Sequence, residues 1–327
     1  MATLEISFLQ DQLEERKRRL EQAIALTPQS GAKAGGLAAL LREVDLALER
    51  MDDGNYGICE ECHDSIERDR LLADPLVRYC LDHLTQQQRT ALQRDLDLAA
   101  EVQRKLLPQA NLRVNDWETS YHYAPHGPVS GDYCDLIPFD GQLFFVLGDV
   151  SGKGVAASML MTQLHALFRS LTGLGLPLGQ IIAQANRVLC ESALAGQYAT
   201  LVCGQASATG ELEIHNAGHL PVIVNRREGT LQVESMGFPL GMFLEGEFPV
   251  TRLKLDAGDT LFTFSDGLSE ADSSGEEYGV DRVTRLVQQQ SGRQAAELIA
   301  ACLDDLQEFT GGSPQMDDLT VLAIQRR

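Results

Sequence analysis

The sequence predicts an α+β protein in which a helical N-terminal module precedes a larger layered domain. Three observations predict it. Before Pro108 the apolar residues recur at helical spacing, with few β-branched residues; after it, apolar strands alternate with Gly-rich turns. Strands and helices then come in blocks rather than in strict alternation, which favours α+β layers over a doubly wound parallel sheet. The length of 327 residues suits two domains.

Composition narrows the function. Lys and Arg total 27 against 47 Asp and Glu, a formal net charge of −20, which argues against a phosphate-backbone binder, since that needs a basic face. The acid is uneven: residues 1–110 carry net −6 and residues 111–327 net −14. No apolar run approaches the roughly 20 residues that span a bilayer. The N-terminus is charged and helical, without a signal-peptide core. Seven cysteines, two of them in a CxxC, fit a reduced cytoplasmic setting and metal ligation rather than a disulfide framework.

The elements follow in chain order. Ile6, Leu9, Leu13, Leu20 and Ala23 make an a/d-like stripe, broken at Arg16; Leu37, Leu41, Val44, Leu48 and Met51 repeat it. Each stripe is too short for a stable free helix, so the two should pair as a hairpin. Residues 27–31 with Gly35-Gly36 read as its flexible tip. A third helix over about 84–107 carries Leu92, Leu96, Ala99, Val102 and Leu106, and stops at Leu107-Pro108. Beyond it, strands are expected near 117–124, 142–149, 198–207, 211–216, 221–225, 230–234, 249–255, 259–265 and 318–325. Helices are expected near 154–171, 178–194, 280–290 and 294–309. Ala208-Thr209-Gly210 and Arg227-Glu228-Gly229 mark hairpin turns.

Cys59 and Cys62 form a CxxC knuckle, and Cys80 and His83 a CxxH pair after 17 intervening residues. Two close ligand pairs with such a spacer are the pattern of one structural tetrahedral Zn²⁺. The metal's binding energy offsets the small core of the module. His63 is a competing ligand by position. Residues Asp52-Asp53-Gly54-Asn55-Tyr56-Gly57-Ile58-Cys59-Glu60-Glu61-Cys62, with Arg70-Leu71, Pro75 and Arg78-Tyr79-Cys80, resemble the DksA/TraR zinc finger. The resemblance covers about residues 1–85. His83 stands where that family usually has Cys. Members that enter the RNA polymerase secondary channel carry acidic residues at the hairpin tip, and residues 27–36 contain none.

A second set of residues is acidic. Asp132 lies in Val129-Ser130-Gly131-Asp132-Tyr133. Asp149 ends an apolar strand within Gly148-Asp149-Val150-Ser151-Gly152-Lys153-Gly154. Asp266 follows another such strand, and Asp317-Asp318 precede the last one. Any one Asp-Gly pair reads first as a turn. Several buried strands that each end in Asp are costly unless the charge is paired or metal-bound. Oxygen-only ligands suit Mg²⁺ or Mn²⁺. Two such ions can activate a water and clamp a phosphoryl group.

Leu106-Leu107-Pro108 and the two Asp motifs around 132 and 149 resemble the start of a SpoIIE/RsbU-type PPM phosphatase domain. Asn216-Ala217-Gly218-His219-Leu220-Pro221, Pro239-Leu240-Gly241, Gly258-Asp259, Ser265-Asp266-Gly267-Leu268-Ser269-Glu270 and Asp317-Asp318-Leu319-Thr320 match it in order, over about residues 95–327. The resemblance implies an αββα sandwich and a metal-dependent protein serine/threonine phosphatase with two Mn²⁺ or Mg²⁺ ions. It implies that Asp149 bridges both metals, with the Val150 carbonyl on one, and that Asp266 and Asp317 complete the first site. Asp132 would hold the second site directly or through water, and Asp318 would lie in or next to the metal shell. The reaction implied is in-line attack of metal-activated water on phosphoserine or phosphothreonine. In related proteins the substrate is often a STAS-fold anti-anti-sigma factor.

Other residues read more plainly. Lys153 suits either phosphate contact or a solvated helix start. His219 reads as structural in its Ala-Gly-His turn; His122, His126, His165 and His215 have no partner apparent from sequence. Cys134, Cys190, Cys203 and Cys302 read as small core residues, as do Met159 and Met161. Glu270, Asp272, Glu276 and Glu277 read as a solvated loop. The expected organisation is a zinc-finger hairpin (1–85), a coiled-coil-like connecting helix (86–108) and a phosphatase domain (109–327). The connecting helix would transmit control and form a homodimer contact. The alternative is a non-enzymatic transcription regulator acting on RNA polymerase through the zinc module.

Overall fold

The computed structural model describes residues 3–26, 32–84, 86–193 and 196–327. It divides into two compact units, residues 1–94 and 95–327. No helix among the described residues is long and apolar enough to cross a membrane.

In the first unit, helices α1 (Thr3–Ala25) and α2 (Ala32–Asp52) pack together. Leu9, Leu13 and Leu20 meet Val44 and Ala47 in a buried cluster that also takes in Tyr56, Ile66 and Leu71. This is the apolar spacing of the sequence turned into one seam. Lys17 and Asp45 add an exposed cross-helix ion pair at 2.7 Å. The tip at 27–31 lies outside the described residues. Gly35 and Gly36, expected in that tip, instead lie inside α2. Neighbouring Ala and Leu are strong enough helix formers to carry two glycines, each costing about 1 kcal/mol. Short helix α3 (Arg68–Ala73) and a 3₁₀ turn (Leu81–His83) complete the finger. Helix α4 (Gln86–Leu106) follows and contains the division between the units. Its apolar stripe is partly open: Leu92 and Val102 are exposed, Leu96, Ala99 and Leu106 are half-buried, and Gln103 is buried.

The second unit is an αββα sandwich, as the resemblance implied. The first strands are β1 (Arg113–Val114), β2 (Trp117–Ala124), β3 (Tyr133–Phe139) and β4 (Gln142–Val150). Helices α5 (Val155–Thr172) and α6 (Leu178–Ser192) come next, then β5 (Ala199–Ala206), β6 (Glu211–Ala217), β7 (Val222–Arg226), β8 (Gly229–Val233), β9 (Thr251–Lys254) and β10 (Thr260–Phe264). After α7 (Asp266–Ser269) and the small hairpin β11 (Asp272–Ser273) and β12 (Glu276–Glu277), helices α8 (Val280–Gln289) and α9 (Ala295–Thr310) lead to β13 (Leu319–Arg326). One sheet runs β1-β2-β13-β10-β7-β8 and the other β3-β4-β5-β6-β9, with every pairing antiparallel.

Side-chain alternation builds the layers. On β4, Leu143, Phe145 and Leu147 enter the core between the sheets, while Phe144 and Val146 face α5 and α6. Phe262 and Phe264 on β10 turn the other way, toward α8 and α9. The expected strands all form, with shifts at their ends of one or two residues. Strand β3 was not anticipated, because Asp135 and Pro138 disguise its apolar alternation. It tolerates Asp135, fully buried, because Arg169 on α5 binds both carboxylate oxygens, at 2.7 and 2.8 Å. Met161 is core as expected, but Met159 is 67 % exposed. The core face of α5 is set by Ala157, Leu160, Met161, Leu164 and Phe168, and position 159 falls on the far side. Cys134, Cys203 and Cys302 are buried, and Cys190 is half-buried.

Candidate active site

The candidate site forms at one end of the sandwich, where β4, β10 and β13 meet the loop before β3. Asp149 is the penultimate residue of β4 and sits across from Thr200 of β5. Asp266 opens α7 directly after β10, and Asp317-Asp318 lie just before β13. Ser265 ties these two chain ends together: its N–H donates to the Thr320 carbonyl and its Oγ accepts from the Thr320 N–H, both at 2.9 Å. Its Oγ also donates to the Asp318 carbonyl at 3.2 Å. Gly267 is required here, because a Cβ on it would lie 2.1 Å from the Asp318 carbonyl oxygen.

The loop carrying Asp132 is held from three sides. The Gly131 N–H donates to Asp318 Oδ2 at 3.0 Å, and the His126 N–H to Asp318 Oδ1 at 2.8 Å. Gln103 grips Ser130 on both its backbone groups. A Cβ on Gly131 would sit 3.0 Å from the Val150 carbonyl oxygen and 3.4 Å from Asp149 Oδ1, so the loop lies directly against the end of β4. Asp318 is thereby a clamp on this loop. His126, without an apparent partner in sequence, meets the Gln315 carbonyl through Nδ1 at 2.9 Å.

The electrostatics are those of crowded carboxylates. Burial, then the charges of Asp266, Asp317 and Asp318, push Asp149 up to about 7. Burial and the neighbouring Asp317 raise Asp266 as well. Asp132 is buried, which holds its carboxyl well above the usual range, with Asp149 and Asp318 adding to the effect. Asp132 Oδ2 accepts from the Thr320 hydroxyl, while its buried Oδ1 has no hydrogen-bond partner among the described residues. A buried, unpartnered carboxylate oxygen beside other carboxylates is what a hard divalent cation satisfies, so this donor set fits Mg²⁺ or Mn²⁺. The counter-charge in the structure is Lys153, whose Nζ bonds Asp317 Oδ2 at 2.7 Å. The lysine is thus paired at its tip while its side chain stays exposed to solvent.

Beside the carboxylates lies a cleft of about 370 Å³ lined by Asp149, Ser151, Thr200, Gly218, His219 and Asp266, with Glu270 at its edge. Glu270 belonged to the stretch expected to be a solvated loop. It is pushed up by burial and by Asp266, and so belongs to the acidic cluster. His219 is buried and takes the structural role expected for it. Its Nε2 bonds the Phe264 carbonyl and its Nδ1 the Thr200 hydroxyl, both at 3.1 Å. A carbonyl only accepts, so Nε2 carries the proton and Nδ1 accepts from Thr200. His219 therefore links β5 of one sheet to the end of β10 in the other. Burial lowers its pKa to about 4, so it stays neutral. His165 lies 3.3 Å from Asp135, and His215 Nδ1 is 2.6 Å from the Pro249 carbonyl. Thr320 lies in the Asp317-Asp318-Leu319-Thr320 motif, though its bond to Asp132 is not readable from it; Thr200 and Gln103 carry no local motif that marks them.

The zinc-type cluster is tighter than the carboxylates. Among the described residues, Cys59, Cys62, Cys80 and His83 bring their ligand atoms within 4.8 Å of one another. Cys62 Sγ and Cys80 Sγ are 3.7 Å apart, close to the ~3.8 Å edge of a tetrahedron with ~2.3 Å Zn–S bonds. His83 presents Nδ1, 3.1 Å from Cys80 Sγ. Burial opposes ionisation of Cys59, but backbone N–H donors from Cys62, Cys80 and Glu61 bring its thiol down to about 6. His63 is not part of the cluster. It sits at a positive φ of 61°, in a turn where its N–H bonds the Cys59 carbonyl at 3.0 Å.

Comparison with known proteins matches both parts. Residues 140–327 match the family model of stage II sporulation protein E (SpoIIE), and residues 54–82 that of the prokaryotic dksA/traR C4-type zinc finger, a match that ends one residue before His83. Protein IcfG of Synechocystis is 27% identical over 263 residues, 71% of this chain and 41% of that protein. Phosphoserine phosphatase RsbU of Bacillus subtilis is 22% identical over 236 residues, 71% of this chain and 70% of that protein. The chain therefore spans less than half of IcfG. The solved SiaA-PP2C domain of Pseudomonas aeruginosa superposes with a TM-score of 0.65 at 18% identity, over 73% of this chain and 98% of that one.

Proposed function

The chain belongs to the SpoIIE family of PPM-type serine/threonine phosphatases, and from that premise we propose that it hydrolyses phosphoserine or phosphothreonine on a regulatory protein. The observation that carries this reading is the gathering of Asp149, Asp266, Asp317 and Asp318 at one end of the sandwich, where burial and then the neighbouring charges lift Asp149 to about 7. Asp149, Asp266 and Asp317 would hold one divalent ion and Asp149 and Asp132 a second, with the Val150 carbonyl on one of the two. Bound Mn²⁺ or Mg²⁺ supplies Lewis-acid activation of water and neutralises phosphoryl charge.

The chain's own groups do the rest. Asp318 and Gln103 hold the Asp132 loop against β4. His219 fixes the spacing of the two sheets beside the cleft. Lys153 stands between Gly152 and Gly154, both at positive φ, and supplies the nearby positive charge for the phosphate. The proposed substrate is a phosphorylated STAS-fold anti-anti-sigma protein. RsbU, 22% identical to this chain, is named a phosphoserine phosphatase, which supports phosphoserine as the residue acted on. The zinc module would regulate the phosphatase through α4, with the exposed part of its apolar stripe, Leu92 and Val102, forming a homodimer contact. An RNA polymerase role has less support, because the hairpin tip lacks acidic residues.

The test is hydrolysis of p-nitrophenyl phosphate with Mn²⁺ by wild type, Asp149→Asn and Asp266→Asn. Metal-dependent turnover that falls at least about a hundredfold in both variants supports the proposal. Turnover that needs no metal, or that survives both substitutions, removes it.

A further inference from the structure

The segment after β8 carries an exposed apolar surface. Met236, Phe238, Met242, Phe243 and Leu244 are 53, 66, 42, 51 and 63 % exposed within nine residues. Phe238 and Phe243 touch edge to face, with ring centroids 5.0 Å apart, so the two rings form one contiguous apolar surface. Scattered single apolar residues are ordinary on a surface, but a contiguous cluster marks a contact.

The backbone beneath the patch is pinned, so these side chains do not reach water through slack. Leu240 pairs with Ala199 through two backbone hydrogen bonds of 2.8 Å. The buried side chain of Asn186 on α6 accepts from the Gly241 N–H and donates to the Phe243 carbonyl, both at 2.9 Å. The same anchors place the patch beside the cleft. Ala199 directly precedes Thr200, and Gly237 is bridged to Ala217, which precedes Gly218. Thr200 and Gly218 both line the cleft. The segment's own charges have one sign: Glu234, Glu245 and Glu247 are exposed, and no Lys or Arg occurs from 228 to 250, while Arg187 is exposed next to Asn186 on α6.

We infer that this loop is the docking surface for the folded phosphoprotein substrate. It takes an apolar patch, bordered by Lys or Arg, that lies next to the phosphorylated residue. The inference rests on the phosphatase reading above. A cleft of about 370 Å³ has room for the phosphoresidue and little more, so discrimination among proteins falls to the surface continuous with it. Aromatic side chains on a rigid base are the groups that dominate such contacts. The acidic rim selects a basic border and repels nucleic acid.

The experiment compares wild type with Phe238→Ser/Phe243→Ser on three substrates with Mn²⁺: p-nitrophenyl phosphate, a phosphorylated STAS-domain protein, and the phosphoserine peptide cut from that protein. The double variant should lose at least about tenfold in kcat/KM on the folded phosphoprotein and change less than about twofold on the other two. Glu245→Lys/Glu247→Lys should slow the folded substrate alone, with weaker dependence on salt. Unchanged rates on the folded phosphoprotein overturn the inference, as does a wild type that treats protein and peptide alike. A variant that alters only the molecular mass in solution assigns the patch to a second copy and also overturns it. A wild type inactive on p-nitrophenyl phosphate removes the phosphatase reading itself, and this inference with it.

Discussion

Gln103 and Ser130 form a two-point hydrogen bond: Gln103 Nε2 donates to the Ser130 carbonyl at 2.7 Å, and the Ser130 N–H donates back to Oε1 at 3.0 Å. Ser130 Oγ in turn accepts from the Asp132 N–H at 3.0 Å. One side chain of α4 therefore sets the backbone two residues from Asp132. Gln103→Ala would leave two buried backbone groups unpaired, at a cost of about 2 kcal/mol. We expect a lower melting temperature and at least severalfold weaker Mn²⁺ binding by calorimetry. Wild-type affinity in that variant would show that the loop holds itself.

His219 gives the protein an acid-sensitive joint. Its folded pKa of about 4 lies below the unfolded value of about 6.5. The folded state thus binds fewer protons, so its stability is complete above pH 6.5 and is lost as pH falls toward 4. The loss amounts to about 3 kcal/mol. Urea unfolding at pH 7.5 and 4.5 should show a steeper decline in wild type than in His219→Gln. Equal declines would mean that other groups dominate.

The finger should depend on its ion. Metal analysis is expected to find zinc in the purified protein and to lose it in His83→Ala, whereas His83→Cys keeps it. A strong chelator should expose residues 54–83 to hydrogen exchange, because folding and ligation are coupled in so small a core. Protection that persists without zinc would refute this.

Gly267→Ala and Gly152→Ala separate two reasons for glycine. A Cβ on Gly267 meets the Asp318 carbonyl at 2.1 Å, so the start of β13 must move. Phosphatase activity is expected to fall at least about tenfold, with a lower melting temperature. Gly152 has a φ of 96° but open space around it, so alanine there costs only backbone strain of about 1 kcal/mol. Similar effects from both variants would contradict the crowding at 267.

Much of this organisation was legible beforehand. The zinc ligands are legible because their spacing is local: two ligands three residues apart must lie on one turn of chain. The strands ending at Asp149 and Asp266 are legible because alternating burial writes itself into sequence at period two. Strand β3 was hidden because its buried Asp135 makes sense only with Arg169, 34 residues away. Met159 was misjudged because composition reveals that a helix has a core face, while the neighbouring sheet decides which face it is.

The sequence by itself determined the α+β layering, the sulfur and oxygen ligand types, and the order of the Asp motifs. Those are properties of residue type and short spacing. Only the tertiary structure decided that Asp318 clamps the Asp132 loop, that Lys153 pairs with Asp317, that His219 joins the sheets, and that Phe238 and Phe243 face water beside the cleft. These depend on contacts between groups up to about 190 residues apart, such as Gly131 and Asp318. No local pattern encodes such contacts, because they exist only once both sheets have packed.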